Sequence, residues 1–210
     1  MKKRNIIEFL LLIILGSLSS LSLPPLNFFM INFFTFSIFF IYLYKKSYIN
    51  SQKKIFFFYG WLFGFGYFLT NLYWITISLT FDKSFSFLIP FALVLIPSFL
   101  AMFYGLISFT FFLLKPKNLL SAFFLFSVLF GIFEFIRGKI LTGFPWNLWS
   151  YSWSWFTEFL QILNLIGLYS FNLIVITIFT IPAVFFFRIK EFKKFLILSF
   201  SILIFFLFYL

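Results

Sequence analysis

Apolar runs of about twenty residues recur along the whole chain, separated by short polar breaks, and this spacing leaves little choice of solvent. A helix crossing the ~30 Å hydrocarbon core of a bilayer needs ~20 mostly apolar residues. Seven runs approach that length: Ile6–Ser22, Leu26–Tyr44, Ile55–Thr80, Phe85–Leu114, Leu119–Arg137, Leu160–Phe187 and Phe195–Leu210. A soluble domain of 210 residues needs far more polar surface than 10% charged residues supply. The expected fold class is an all-α polytopic membrane protein, a single domain over residues 1–210 with about seven transmembrane helices. The breaks have matching chemistry. Pro24-Pro25 suits a hairpin, Lys45–Lys54 a polar loop and Phe81–Ser84 a short turn, while Pro116 ends the fourth run. The third and fourth runs exceed the hydrocarbon thickness, which predicts tilt or interfacial ends. Pro90, Pro97 and Pro182 mark expected bends.

The cations orient the threading. With the amino terminus inside and the sides alternating, thirteen of the sixteen Lys and Arg residues fall on the inner side. Only Lys83, Arg137 and Lys139 lie outside, beside Asp82, Glu134 and Glu158. The formal charge of +11 therefore sits on one face of the membrane, and topology accounts for it without nucleic-acid binding. An odd number of spans delivers the carboxyl end to the outer side. The first run has the layout of a signal peptide, but Glu8 inside it and its length favour retention as a helix. The last run is ~24 Å long at ~1.5 Å per residue, which predicts further sequence beyond Leu210.

The chain has no Cys and no His. That removes thiol nucleophiles, disulfides, imidazole bases and nearly every zinc or haem site, so no metal, no cofactor and no catalytic residue is assigned.

Glu134 and Arg137 stand three apart near the end of the fifth run, on one helix face. An ionisable pair within a span can anchor an outward-opening site, but position alone favours an interfacial ion pair that closes the helix. The stretch that follows, Gly143-Phe144-Pro145-Trp146, begins a segment holding four of the six tryptophans. Pro145 suits the first turn of a helix, which would align Trp146, Trp149, Trp153 and Phe156 as one stripe. Composition alone favours an aromatic belt at headgroup depth. Gly60, Gly64 and Gly66 lie within a span and lack the Lys-Ser/Thr ending of a phosphate loop, so close helix packing is the better reading. Thr70 and Asn71 offer hydrogen bonds across helices.

These stretches, in this order, resemble the membrane domain of bacterial apolipoprotein N-acyltransferases. The resemblance rests chiefly on Glu134-x-x-Arg137-Gly138 followed by Thr142-Gly143-Phe144-Pro145-Trp146. Residues 24–40, 60–79 and 160–176 fit more loosely. The resemblance implies helices in the bacterial inner membrane, amino terminus cytoplasmic and carboxyl terminus periplasmic, supporting a nitrilase-like domain with a Glu-Lys-Cys triad. That domain takes an acyl chain from a phospholipid as a thioester. It then passes the chain to the N-terminal diacylglyceryl-cysteine of a lipoprotein, splitting one hard step into two. No triad residue maps onto this Cys-free sequence. The resemblance therefore implies a membrane half that is inactive by itself. Its partners are the bilayer and, through the catalytic domain, a phospholipid donor and a lipoprotein acceptor. The alternative is an inactive scaffold or lipid-binding remnant of the family. A small transporter is disfavoured, because neither internal repeats nor mid-membrane charges beyond Glu8 are visible.

Overall fold

The computed structural model describes residues 3–49, 52–140 and 143–187. Every regular element among them is helical. The long helices are α1 (Lys3–Ser20), α2 (Ile31–Ile49), α3 (Lys53–Leu72), α4 (Ile89–Leu114) and α5 (Leu119–Lys139). The short turns α6 (Thr157–Leu160) and α7 (Leu163–Ile166) precede the long helix α8 (Leu168–Phe186). Helix α3 continues as a 3-10 helix over Tyr73–Thr80, and another, Lys83–Leu88, leads into α4. Four stretches are long and apolar enough to cross a membrane: Lys53–Thr80, Lys83–Leu114, Leu119–Lys139 and Leu168–Phe186. The chain is a multi-pass membrane protein. The seventh expected run, 195–210, lies outside the described residues.

Helix α3 is the hub, packing most extensively on α4 and α1, while α8 packs on α2 and α5. Glycines set these distances. A Cβ on Gly60 would lie 2.0 Å from the Tyr104 carbonyl oxygen, and one on Gly64 2.8 Å from the Tyr104 Cβ. On the opposite side of α3, a Cβ on Gly66 would lie 2.1 Å from the Ile13 carbonyl oxygen, and one on Gly16 1.9 Å from that of Phe63. The helices approach at backbone contact distance, and small residues supply the dispersion contacts that bind helices in lipid. Thr70 and Asn71 do not cross to a neighbour. They bond back to the carbonyls of Gly66 and Tyr67 in their own helix, at 2.8 and 3.0 Å.

Phenylalanine fills the centre. Phe39 stacks on Phe63 with centroids 4.2 Å apart, and Phe36, Phe126 and Phe130 close around them. Several polar groups inside the bundle pair between helices, as hydrocarbon favours, although Ser108 Oγ, Trp149 Nε1 and Asn172 Nδ2 are buried without a hydrogen-bond partner. Glu8 of α1 accepts from Lys46 at 2.6 Å and from Tyr42 at 3.0 Å, both on α2. At the other end of that hairpin, past the cis Pro24-Pro25 peptide, Asn32 donates to the Ser22 hydroxyl at 2.7 Å.

The prolines differ from expectation in one case. Pro90 does not bend a helix, because α4 starts at Ile89 and Pro90 occupies its first turn, where no amide partner is lost. Pro97 and Pro182 lie inside α4 and α8. Beside Pro182 the Ser37 hydroxyl enters the helix ladder, accepting from the Ala183 amide at 3.1 Å and donating to the Phe179 carbonyl at 3.3 Å. The sixth expected span is shorter than the apolar run that predicted it. Gly167, at φ +76°, closes α7, and α8 begins at the next residue.

At the tip between α3 and α4, Asp82 caps the Lys83–Leu88 turn by accepting from the Ser84 amide at 2.8 Å. That backbone N–H holds the exposed Asp82 carboxyl below the usual carboxylate range.

Candidate functional site

The last two turns of α5 carry Glu134 and Arg137 on one face, and both are 1% exposed. The interfacial ion pair expected from position is therefore a buried one. The reason is that α3, α4 and the segment after α5 all cover it, which sequence spacing does not reveal. Arg137 Nε donates to Glu134 Oε2 at 3.0 Å, and Nη2 donates to the same oxygen. The other carboxylate oxygen accepts from the Tyr104 hydroxyl of α4 at 2.6 Å. Arg137 Nη1 turns the opposite way and donates to the carbonyls of Phe144 and Trp146, at 2.7 and 2.9 Å. The Phe144 amide returns a bond to the Arg137 carbonyl at 3.0 Å. Guanidinium suits this position because its planar fork serves a carboxylate and a pair of carbonyls at once, which an ammonium cannot do. The guanidinium carbon also lies 5.3 Å from the centre of the Phe68 ring and 5.7 Å from that of Phe144.

The rest of the segment is held by other helices. Tyr67 of α3 donates to the Asn147 carbonyl at 2.7 Å. Asn172 of α8 accepts from the Ser150 amide at 2.9 Å through Oδ1. Residues 143–148 form no helix. Gly143 and Asn147 have φ values of +77° and +57°. The helical stripe expected from Pro145 onward is thereby corrected, and its tryptophans part company. Trp149 is fully buried, stacked on Tyr67 with centroids 4.0 Å apart and edge-on to Phe36 at 4.7 Å. Trp146 is half exposed and stacks on Trp74 at 5.5 Å. Trp155 is 66% exposed. Trp146 and Trp155 are exposed, as an aromatic belt requires, whereas Trp149 is a core residue. Its place in the Trp-rich segment gave no cue, since burial here follows from two left-handed residues and not from helical period.

Two apolar grooves flank the Gly143–Trp146 loop. One, of about 610 Å³, runs between Trp74 and Ile77 on the 3-10 extension of α3, Phe81 just after it, and Phe144, Pro145 and Trp146 on the loop. The other, of about 350 Å³, lies between Leu95, Phe99 and Phe103 of α4 and Ile140, Gly143 and Phe144. Gly143 and Phe144 line both. Of the sequence-predicted residues, the structure thus brings Glu134, Arg137, Gly143, Phe144, Pro145 and Trp146 to one place. Gly60 and Gly64 lie behind them under Tyr104, and Gly66 faces α1 on the other side of α3. The residues missed from sequence are Tyr67, Tyr104 and Asn172. Each is a polar or amphipathic residue inside an apolar run, which is the one signal that could have singled it out.

A bundle of helices long and apolar enough to cross a bilayer, with a buried ion pair fixing the loop after one of them, defines a multi-pass membrane domain. The profile of the apolipoprotein N-acyltransferase N-terminal domain matches residues 15–181, and the chain belongs to that family. It is 34% identical over 184 residues to the apolipoprotein N-acyltransferase of Allorhizobium ampelinum, covering 83% of this chain and 34% of the relative. It is 40% identical over 169 residues to that of Rickettsia prowazekii, covering 80% and 33%. With that of Rickettsia typhi it shares 40% over 181 residues, covering 86% and 34%. The chain spans about one third of the length of these curated relatives.

Proposed function

We propose that the chain serves as the membrane half of an apolipoprotein N-acyltransferase in the bacterial inner membrane. In this role it guides a phospholipid acyl donor toward a nitrilase-like catalytic domain on the periplasmic side. The donor's ester would give its acyl group to a catalytic thiol, and the thioester would then pass it to the α-amino group of a diacylglyceryl-cysteine. None of these 210 residues is a cysteine, so none of them supplies that thiol. What this chain contributes is the clamp and the grooves. The observation that carries the reading is the loop Gly143–Trp146, held by Arg137 with apolar grooves on both sides.

A loop of carbonyls at the edge of hydrocarbon is costly unless donors meet it. Arg137 and Tyr67 meet it, and the aromatic side chains of the loop remain free to face lipid. The buried Glu134 balances the cation, so the loop is fixed without leaving a net charge beside the grooves.

The experiment uses a complete enzyme carrying this domain, with acylation read from the mobility of a lipoprotein substrate. Trp146→Ala removes a half-exposed ring from the larger groove and keeps the backbone carbonyl that Arg137 binds. Losing one aromatic anchor costs at least ~1 kcal/mol, so turnover should fall at least about fivefold at unchanged protein level. Turnover equal to that of the unsubstituted enzyme would reject the lipid-guiding role.

A further inference from the structure

The two grooves are separated by very little. Gly143 has no side chain, so the Phe144 ring and its backbone form the partition. That partition is held rigidly. The Phe144 amide donates to the Arg137 carbonyl, its carbonyl accepts from Arg137 Nη1, and its ring lies between the guanidinium and Trp146, 5.7 Å from each. A side chain so constrained does not swing aside to merge the grooves.

The linings say what can enter. Among the described residues, the larger groove offers one side-chain hydroxyl, Ser78, among carbon surfaces, and the smaller one offers only the Arg137 guanidinium. That guanidinium is already committed to Glu134 and to two carbonyls. Among the described residues neither groove therefore provides a free charge for a headgroup, while both accept hydrocarbon. Both are also walled by segments that cross the bilayer, Lys53–Thr80 and Lys83–Leu114, where acyl chains are the surrounding solvent. Two apolar grooves that share Gly143 and Phe144 in their walls suit a ligand with two hydrocarbon chains leaving one small polar hub.

We infer that a single diacyl glycerophospholipid straddles Phe144, with one acyl chain in each groove. The inference rests on the lipid-guiding reading for the lipid's role as donor, but the binding geometry stands apart from turnover. Each groove alone would hold a chain weakly. Joining the chains through glycerol makes the second insertion intramolecular, which multiplies retention without any new contact. Phe144 then selects two-chain lipids over one-chain lipids.

The test counts lipids retained by the 210-residue chain after detergent exchange, using native mass spectrometry. The probes are dioleoylphosphatidylethanolamine and its monooleoyl lyso analogue. Two variants each fill one groove from an exposed wall position: Ile77→Trp for the larger and Leu95→Trp for the smaller. The unsubstituted chain should retain one diacyl lipid. Either variant should lower diacyl retention at least about tenfold, the effect of losing one of two linked contacts, while the lyso lipid still binds. Retention of two diacyl lipids, falling to one in each variant, would mean independent lipids and overturn the inference. Unchanged diacyl retention in either variant would overturn it too. So would loss of both lipids from one variant, since the open groove would then fail to hold a chain. None of these results depends on acyl transfer, so failure here is separable from failure of the acyltransferase reading.

Discussion

Replacing Arg137 with leucine lowers the unfolding free energy of the bundle by about 3–5 kcal/mol. The substitution leaves the Glu134 carboxylate 1% exposed with the Tyr104 hydroxyl as its remaining donor. It also strips donors from the carbonyls of Phe144 and Trp146, each of which then meets hydrocarbon unpaired. The loss is mainly a penalty for what remains, not the worth of the pair. For that reason Glu134→Leu combined with Arg137→Leu should recover part of it, because two apolar side chains replace a desolvated ion pair at little cost. Denaturant titration of the detergent-solubilised chain, followed by tryptophan fluorescence, measures both. A single variant within about 1 kcal/mol of the parent would place the pair in water, contrary to the structure.

Gly16→Ala and Gly60→Ala form the second large effect. The added methyls would sit 1.9 and 2.0 Å, respectively, from a backbone carbonyl oxygen of the neighbouring helix. A side chain can rotate away from such a clash, but a helix backbone must translate as a unit. Both α1–α3 and α3–α4 would have to separate, with loss of the dispersion contacts that hold helices together in lipid. The expected cost is about 3 kcal/mol or more, the upper range for overpacking. Gly167→Ala is the useful contrast. Nothing lies within 4 Å of its Cβ position, and only the backbone conformation, φ +76° and ψ 166°, opposes substitution, which amounts to ~1–3 kcal/mol. Accumulation of folded protein in the membrane, followed by thermal unfolding, ranks the three. Equal stability across them would contradict the backbone contacts.

Much of the fold could be read from residue order, and the boundaries that could not are instructive. Long apolar runs showed that the chain is helical, because hydrocarbon admits few other ways of pairing a backbone, but α2 spans Ile31–Ile49 and enters the expected Lys45–Lys54 loop. The runs could not show that one changes its helical type, as at Tyr73–Thr80, or restarts at a glycine, as at Gly167. Helix faces were illegible for a chemical reason. Phe36 and Phe39 are buried while Phe34 is 69% exposed, and a lipid-facing phenyl is as soluble as a packed one. At the candidate site, Glu134, Arg137 and the Gly143–Trp146 segment were recognisable as residue types. Their burial was not, since it depends on Tyr67 and Tyr104 arriving from helices far away in sequence. Trp149 shows the same gap: its partners Phe36 and Tyr67 come from α2 and α3.

The central claim is that the Arg137 fork, and not merely its charge, holds the loop between the grooves. Backbone hydrogen exchange on the Arg137→Lys chain tests it directly, because lysine keeps the ion pair with Glu134 but cannot also serve two carbonyls. The account predicts that amides of residues 143–150 lose protection at least about tenfold while those of α3, α4 and α5 keep theirs. Unchanged exchange across 143–150 would contradict it.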